Sequence, residues 1–186
     1  MSATATPFGM RPAYHPSGQI PVAAYTIASG YGTAIYKGNP VILNTNGTIV
    51  VGTTAADILG IFAGVQYTDA TGKPVYSPYW PASTTATDIV AYVYVDPQIV
   101  YEVQSNGSIA QTAVGDQADF VNPGTGSATT GLGSCTISST LAGAGVQAQL
   151  RIVGFSLAPD NAPGDAYTVV QAQIARSQFV SNKVAI

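Results

Sequence analysis

Apolar and polar residues alternate along most of this chain with a period of two, the signature of strands that bury one face and leave the other to solvent. The runs VAAYTIAS (Val22 to Ser29), TAIYK (Thr33 to Lys37) and PVILN (Pro40 to Asn44) are short and rich in β-branched and aromatic residues. Gly30-Tyr31-Gly32 and Gly38-Asn39-Pro40 part them, so they predict strands with tight connections. A longer segment, ILGIFAGVQYT (Ile58 to Thr68), leads through the loop TDATGKP and VYSPYWPAS to DIVAYVYVDP (Asp88 to Pro97). There Ile89, Ala91, Val93 and Val95 alternate with Val90, Tyr92 and Tyr94, which predicts a strand covered on both faces.

Two Asn-Gly pairs, Asn46-Gly47 in LNTNGTIV and Asn106-Gly107 in VQSNGSIA, predict hairpins, because a type I′ turn needs positive φ at both central residues. Their shared pattern hints at an internal duplication. Both also spell a glycosylation sequon, but no charged and apolar secretory signal opens the chain, so the turn reading is preferred. Near the end, VQAQLRIVGFSL and AYTVVQAQIARSQFVSNKVAI are again strand-like, with Val170, Ala172 and Ile174 on one face and Tyr167, Val169, Gln171 and Gln173 on the other. No segment carries a capped helical stripe, although residues 138–144 could form one turn. The expected fold is all-β: a single compact β-sandwich or β-barrel-like domain over residues 21–186. An extended N-terminal arm, residues 1–20, precedes it, since TPFGMRPAYHPSG (Thr6 to Gly18) has three prolines and two glycines. Within the domain, residues 122–145 are almost all small and predict a loosely packed excursion.

Composition narrows what such a domain can do. Charged residues are only 8% of the 186, whereas 46% are hydrophobic and mean hydropathy is +0.24. A surface so poor in charge suits a subunit covered by neighbours. No run approaches the roughly 18 apolar residues of a membrane helix. The net charge is −3, and the basic residues Arg11, Lys37, Lys73, Arg151, Arg176 and Lys183 form no stripe, which argues against a direct nucleic-acid partner. One cysteine, Cys135, allows no intrachain disulfide, and synthesis in a reducing cytoplasm is expected.

Candidate chemistry is thin. His15 and Cys135 are the one conceivable nucleophilic dyad, but a triad also needs an orienting acid and rigid oxyanion donors; an inert Cys135 is the better reading. The carboxylates stand beside Gly, Pro, Thr or Asn, which are turn and capping contexts. Asp116 with Asp119, or Asp160 with Asp165, could hold calcium, yet neither spacing matches an EF-hand loop. No cofactor, metal or catalytic residue is therefore assigned. Tyr76-Ser77-Pro78-Tyr79-Trp80-Pro81 offers aromatic rings that could stack on sugars, fold over the core or enter a subunit contact.

Phe8-Gly9-Met10-Arg11-Pro12, Tyr14-His15-Pro16-Ser17-Gly18, Tyr25-Thr26-Ile27-Ala28-Ser29-Gly30, Ile35 to Val41 and Gly60 to Val65, in that order, resemble virion structural proteins of tailed bacteriophages, taken as capsid decoration (cement) proteins. Asn39 stands where that family usually has Asp. The resemblance implies a non-enzymatic β-rich protein that coats the outer surface of the head, bridges neighbouring major capsid subunits and forms a homo-oligomer, a trimer rather than a dimer. The arm would be the docking element, with Phe8, Met10 and Tyr14 as apolar anchors, Arg11 as ion-pairing donor and His15 as a contact, while Tyr76, Tyr79 and Trp80 form a second candidate surface. The alternative is a tail or receptor-binding, glycan-binding structural protein.

Overall fold

Strand formation follows the alternation closely. The computed structural model describes residues 2–179 and holds β1 (Arg11–Tyr14), β2 (Ala23–Tyr25), β3 (Ile35–Tyr36), β4 (Pro40–Leu43), β5 (Ile49–Val51), β6 (Gly60–Asp69), β7 (Pro74–Ser77), β8 (Tyr79–Trp80), β9 (Ala86–Tyr94), β10 (Val100–Gln104), β11 (Gln117–Ala118), β12 (Phe120–Val121), β13 (Thr136–Ile137), β14 (Leu150–Phe155) and β15 (Val169–Ile174). One 3-10 turn, Gln111–Ala113, is the helical element among the described residues, so the chain is all-β as expected. The strand-like stretch read beyond Phe179, with Lys183, lies outside the described residues.

Two antiparallel sheets carry the architecture. The first has the order β1-β10-β15-β14-β11; the second has β2-β9-β6-β4-β5, with β7 added to β6. In the second sheet the N–H of Ile49 in β5 donates to the carbonyl of Thr26, just past β2, at 2.9 Å. That bond bridges the two outer strands, and the sheet curls into a barrel-like half. Two short ribbons complete the fold: β3-β8 adds Ile35 and Trp80 to the core of the barrel-like half, and β12-β13 adds Phe120 and Ile137 to the core of the other.

β6 runs as a wall between two cores, because consecutive side chains of a strand point to opposite faces. Ile61 joins the first core with Met10, Tyr101, Val103, Phe120, Ile152 and Val170. Phe62, its neighbour, joins the barrel core with Ile35, Val41, Leu59, Trp80 and Val93. Burying each such side chain contributes roughly 1.5–3 kcal/mol, so one strand couples the stability of both halves.

Several expectations are corrected. The N-terminal segment is extended, but it is zipped to its own chain: Arg11 pairs with Glu102 and Pro12 with Tyr101 in the β1–β10 ladder. Upstream, Ser2 O accepts from Tyr167 N at 2.8 Å, and the Gln104 side-chain amide bonds Thr4 O and Thr6 N at 3.0 and 2.9 Å. Without β1 the β10 edge would be bare, and unpaired edges are a liability that folds cover. Asn46-Gly47 does form a hairpin, but of a different type. Gly47 N donates to Asn44 O and Asn44 N to Thr48 O, and only Gly47 has positive φ (74°), which is a type I turn with a G1 bulge. Asn106-Gly107 makes no hairpin: β10 lies between β1 and β15, and Asn106 N donates to Ile137 O, so the duplicated pattern has no structural counterpart.

Within residues 122–145 only the stretch 131–137 is firmly packed, while residues 125–130 and 143–145 are exposed. Gly131, Gly133, Cys135, Thr136 and Ile137 are buried, and Gly133 N donates to Lys37 O at 2.8 Å. Small residues serve here because two backbones meet. In β9, Ala91 and Val93 are fully buried while Val90 and Tyr92 are only half-buried, and Tyr94 on their face packs against the first core, so the second face is covered only toward the end of the strand.

Met10→Ala should lower stability by about 2–5 kcal/mol, the usual cost of emptying a core site. Removing residues 2–14 should prevent the remainder from unfolding as the same cooperative unit. Both are read from the midpoint and slope of urea unfolding.

Candidate functional site

Three of the five segments singled out by their sequence order, Phe8 to Pro12, Ile35 to Val41 and Gly60 to Val65, meet at Gly38. Its carbonyl accepts Met10 N at 2.9 Å and the Cys135 thiol at 3.3 Å; its N–H donates to Phe62 O at 2.8 Å, and Phe62 N returns to Asn39 O at 2.9 Å. Gly9 and Gly38 both have positive φ (71° and 91°), and a Cβ on Gly9 would lie 3.1 Å from Gly38 O. Only a residue without Cβ lets the two backbones approach so closely.

Above this junction is a groove of about 250 Å³ lined by Phe8, Met10, Arg11, Pro12, Lys37, Gly38, Phe62, Tyr94 and Leu132. Phe8 is half-buried in its wall, and the Arg11 guanidinium sits over the Phe8 ring, 5.0 Å from its centroid. Met10 is 2% exposed and forms the floor, which corrects its expected role as an anchor for a neighbour. Arg11 does act as an ion-pairing donor, but to Glu102 of its own chain. Tyr14 closes β1 half-exposed (50%). His15 faces its own chain rather than a neighbour: Nδ1 lies 2.7 Å from Ser17 Oγ in its own loop, and Nε2 lies 3.3 Å from Asp96 Oδ2, just past β9.

The aromatic hexapeptide is split by strand alternation. Trp80 is fully buried, its ring edge-on to Tyr67 at 5.2 Å, so it is a barrel-core residue and not a contact surface. Tyr79 stacks on Tyr36 with centroids 5.5 Å apart. Tyr76 alone stands free, 78% exposed. Ladder register places it beside Gln66 and Val90, with Tyr92, Gly64 and Ala24 in the next row of the same outer face. No charged side chain lies in those two rows.

Glu102, Tyr94, Leu132 and Tyr92 were not singled out by sequence reasoning, and Lys37 entered only among the scattered basic residues and as part of the Ile35 to Val41 motif. Glu102 is a lone carboxylate in an otherwise uncharged strand, a signal that could have marked it, but its position opposite Arg11 comes from a pairing 91 residues apart. Burial pushes its carboxyl up, yet hydrogen bonds from Arg11 and Ser156, with the Arg11 charge, outweigh this and hold it below its ordinary value. The Cys135 thiol is pushed up to about 12 by complete burial. Cys135 and His15 thus engage different partners. Asp119 accepts Gln149 N, and Asp165 accepts Ala162 N and the Ser2 hydroxyl, each working as a loop brace. Among the described residues no group of three or more His, Cys, Asp and Glu side chains could hold a metal ion.

No family model matches the chain, and neither the curated proteins nor the solved structures yield a match.

A carboxylate with a depressed folded value contributes stability that is present above its unfolded value, about 4.3 for Glu, and lost as pH falls through the folded one. The stability gap between wild type and Glu102→Gln should therefore be open at pH 7 and close toward pH 3, as read from urea midpoints at both. Cys135 should resist a soluble aromatic disulfide reagent at pH 8 in the folded protein and react at once in denaturant, since the thiolate is the nucleophile. Rapid labelling of the native protein would contradict its burial.

Proposed function

We propose that this chain is a structural component of a tailed-phage virion: a capsid decoration protein that binds the outer surface of the head, bridges neighbouring major capsid subunits and acts as a homo-oligomer, a trimer rather than a dimer. The observation that carries the reading is the outer face of β2, β9, β6 and β7, where Tyr76, Gln66, Val90, Tyr92 and Ala24 lie in two adjacent rows of ladder partners, with one carboxylate, Asp88, at their edge beside Gln66 and Tyr76. Interface cores are enriched in aromatic residues and depleted in charge, and this face has that composition while half open to solvent. The resemblance of its motifs to virion structural proteins supports the same reading, with the proviso that the motif residues around Gly9 and Gly38 hold the fold together rather than reach outward.

The mechanism is mechanical. A DNA-filled head presses outward, and each bound subunit that spans two capsid subunits adds its binding free energy to the barrier against rupture. Small contributions multiply over many copies.

The second reading, a tail or receptor-binding protein that touches glycans, is favoured by one feature, the 78% exposure of Tyr76, whose ring could stack on a sugar. Copy number separates the two, with hundreds per particle for a head coat and at most a few dozen for a tail component. Tyr76→Lys should leave urea unfolding within about 0.5 kcal/mol of wild type but reduce occupancy on purified heads in a sedimentation assay. Full occupancy by this variant would sink the assignment of that face.

A further inference from the structure

The groove above Gly38 combines an apolar interior with two cations in a chain that has few. Phe62 and Met10 form its floor at 0% and 2% exposure, Phe8, Pro12 and Tyr94 its walls, and Leu132, 44% exposed, its lip. The backbone groups beneath are already engaged: Gly38 N and O, Met10 N and Lys37 N all have partners. A polar occupant would find no donors on the floor, whereas an apolar one would lose nothing. At about 250 Å³ the space is below the 300–1,000 Å³ of small-molecule pockets and suits one large side chain with its backbone.

Charge sets the rest of the occupant. No carboxylate lines the groove, while Arg11 and Lys37 both do. Arg11 is shared with Glu102; Lys37 makes no ion pair among the described residues, in a chain of net charge −3. A mobile, solvated ammonium beside an apolar hole complements a segment in which a large aliphatic or aromatic residue is followed closely by a carboxylate. We infer that this groove docks a protein segment of the surface that the chain decorates, seating one large apolar side chain between Phe8, Pro12 and Tyr94 while a flanking Asp or Glu pairs with Lys37. This rests on the decoration reading and deepens it by naming the chemistry of the partner.

The test uses the full chain, isotope-labelled for NMR, titrated with the peptide acetyl-Ala-Glu-Leu-Asp-Ala-amide and its neutral twin acetyl-Ala-Gln-Leu-Asn-Ala-amide. The acidic peptide should shift the backbone amides of Arg11, Lys37, Gly38 and Leu132, and bind about three- to fivefold more tightly than the twin, the range of an exposed ion pair. Lys37→Gln should abolish that preference, leave urea unfolding unchanged and lower occupancy on heads. Equal binding of the two peptides, shifts elsewhere or no binding would overturn the inference. So would a concentration-dependent self-association that Lys37→Gln removes, because the occupant would then be a second copy. Head occupancy of the wild type is measured in parallel. If wild type fails to coat heads while the acidic peptide seats as described, the decoration reading falls and the groove chemistry stands; if wild type and Lys37→Gln coat equally and neither peptide binds, the groove inference falls alone.

Discussion

The close approach of Gly9 to Gly38 is the constraint on which the two halves depend. A carbonyl normally takes one or two donors, and Gly38 O takes both available here, the Met10 N–H and the Cys135 thiol, while Gly38 N–H holds β6 at Phe62. Four separate stretches of chain are thus tied within one peptide unit of each other. Because β6 also divides the cores, with Ile61 on one side and Phe62 on the other, a change at this junction is felt by the five-stranded sheet and the barrel alike.

A chain with so few charges still has to satisfy its buried backbone, and it does so with amide side chains. Gln149 accepts Phe120 N and donates to Thr53 O and Ala56 O. Asn161 donates to Ser156 O and Val169 O and accepts Val169 N. Gln178 pairs both ways with Leu43, as a strand residue would. Each amide has a donor and an acceptor in one plane, so it can stand in for a missing strand rung without the desolvation cost of an ion. The surface is left neutral, aromatic and hydroxyl-rich, a composition suited to contact with other protein.

Strand positions were legible from alternation, since β14 and β15 fall within the segments whose pattern announced them and β6 and β9 overlap theirs to within two residues at one end. The candidate site was legible only in part. Phe8 and Arg11 do line the groove, and Lys37 comes to it with the Ile35 to Val41 motif, but Tyr94 and Leu132 reach it from distant stretches, and nothing local marks them. Trp80 and Met10 were misassigned for the same reason: a large apolar side chain in a proline-flanked stretch looks exposed until the element that covers it is known.

The sequence by itself determined the class of the protein, because a period of two in hydrophobicity and abundant turn residues are local properties that any all-β fold must satisfy. It also determined that the surface is nearly uncharged. Tertiary structure alone decided that the N-terminal segment is an edge strand of its own chain rather than a free arm, that Asn46-Gly47 turns a hairpin and Asn106-Gly107 does not, and that one face of β9 stays partly open. These depend on which strand edge is left unpaired and which backbone comes close, and such pairings join residues roughly a hundred positions apart, beyond the reach of any local pattern.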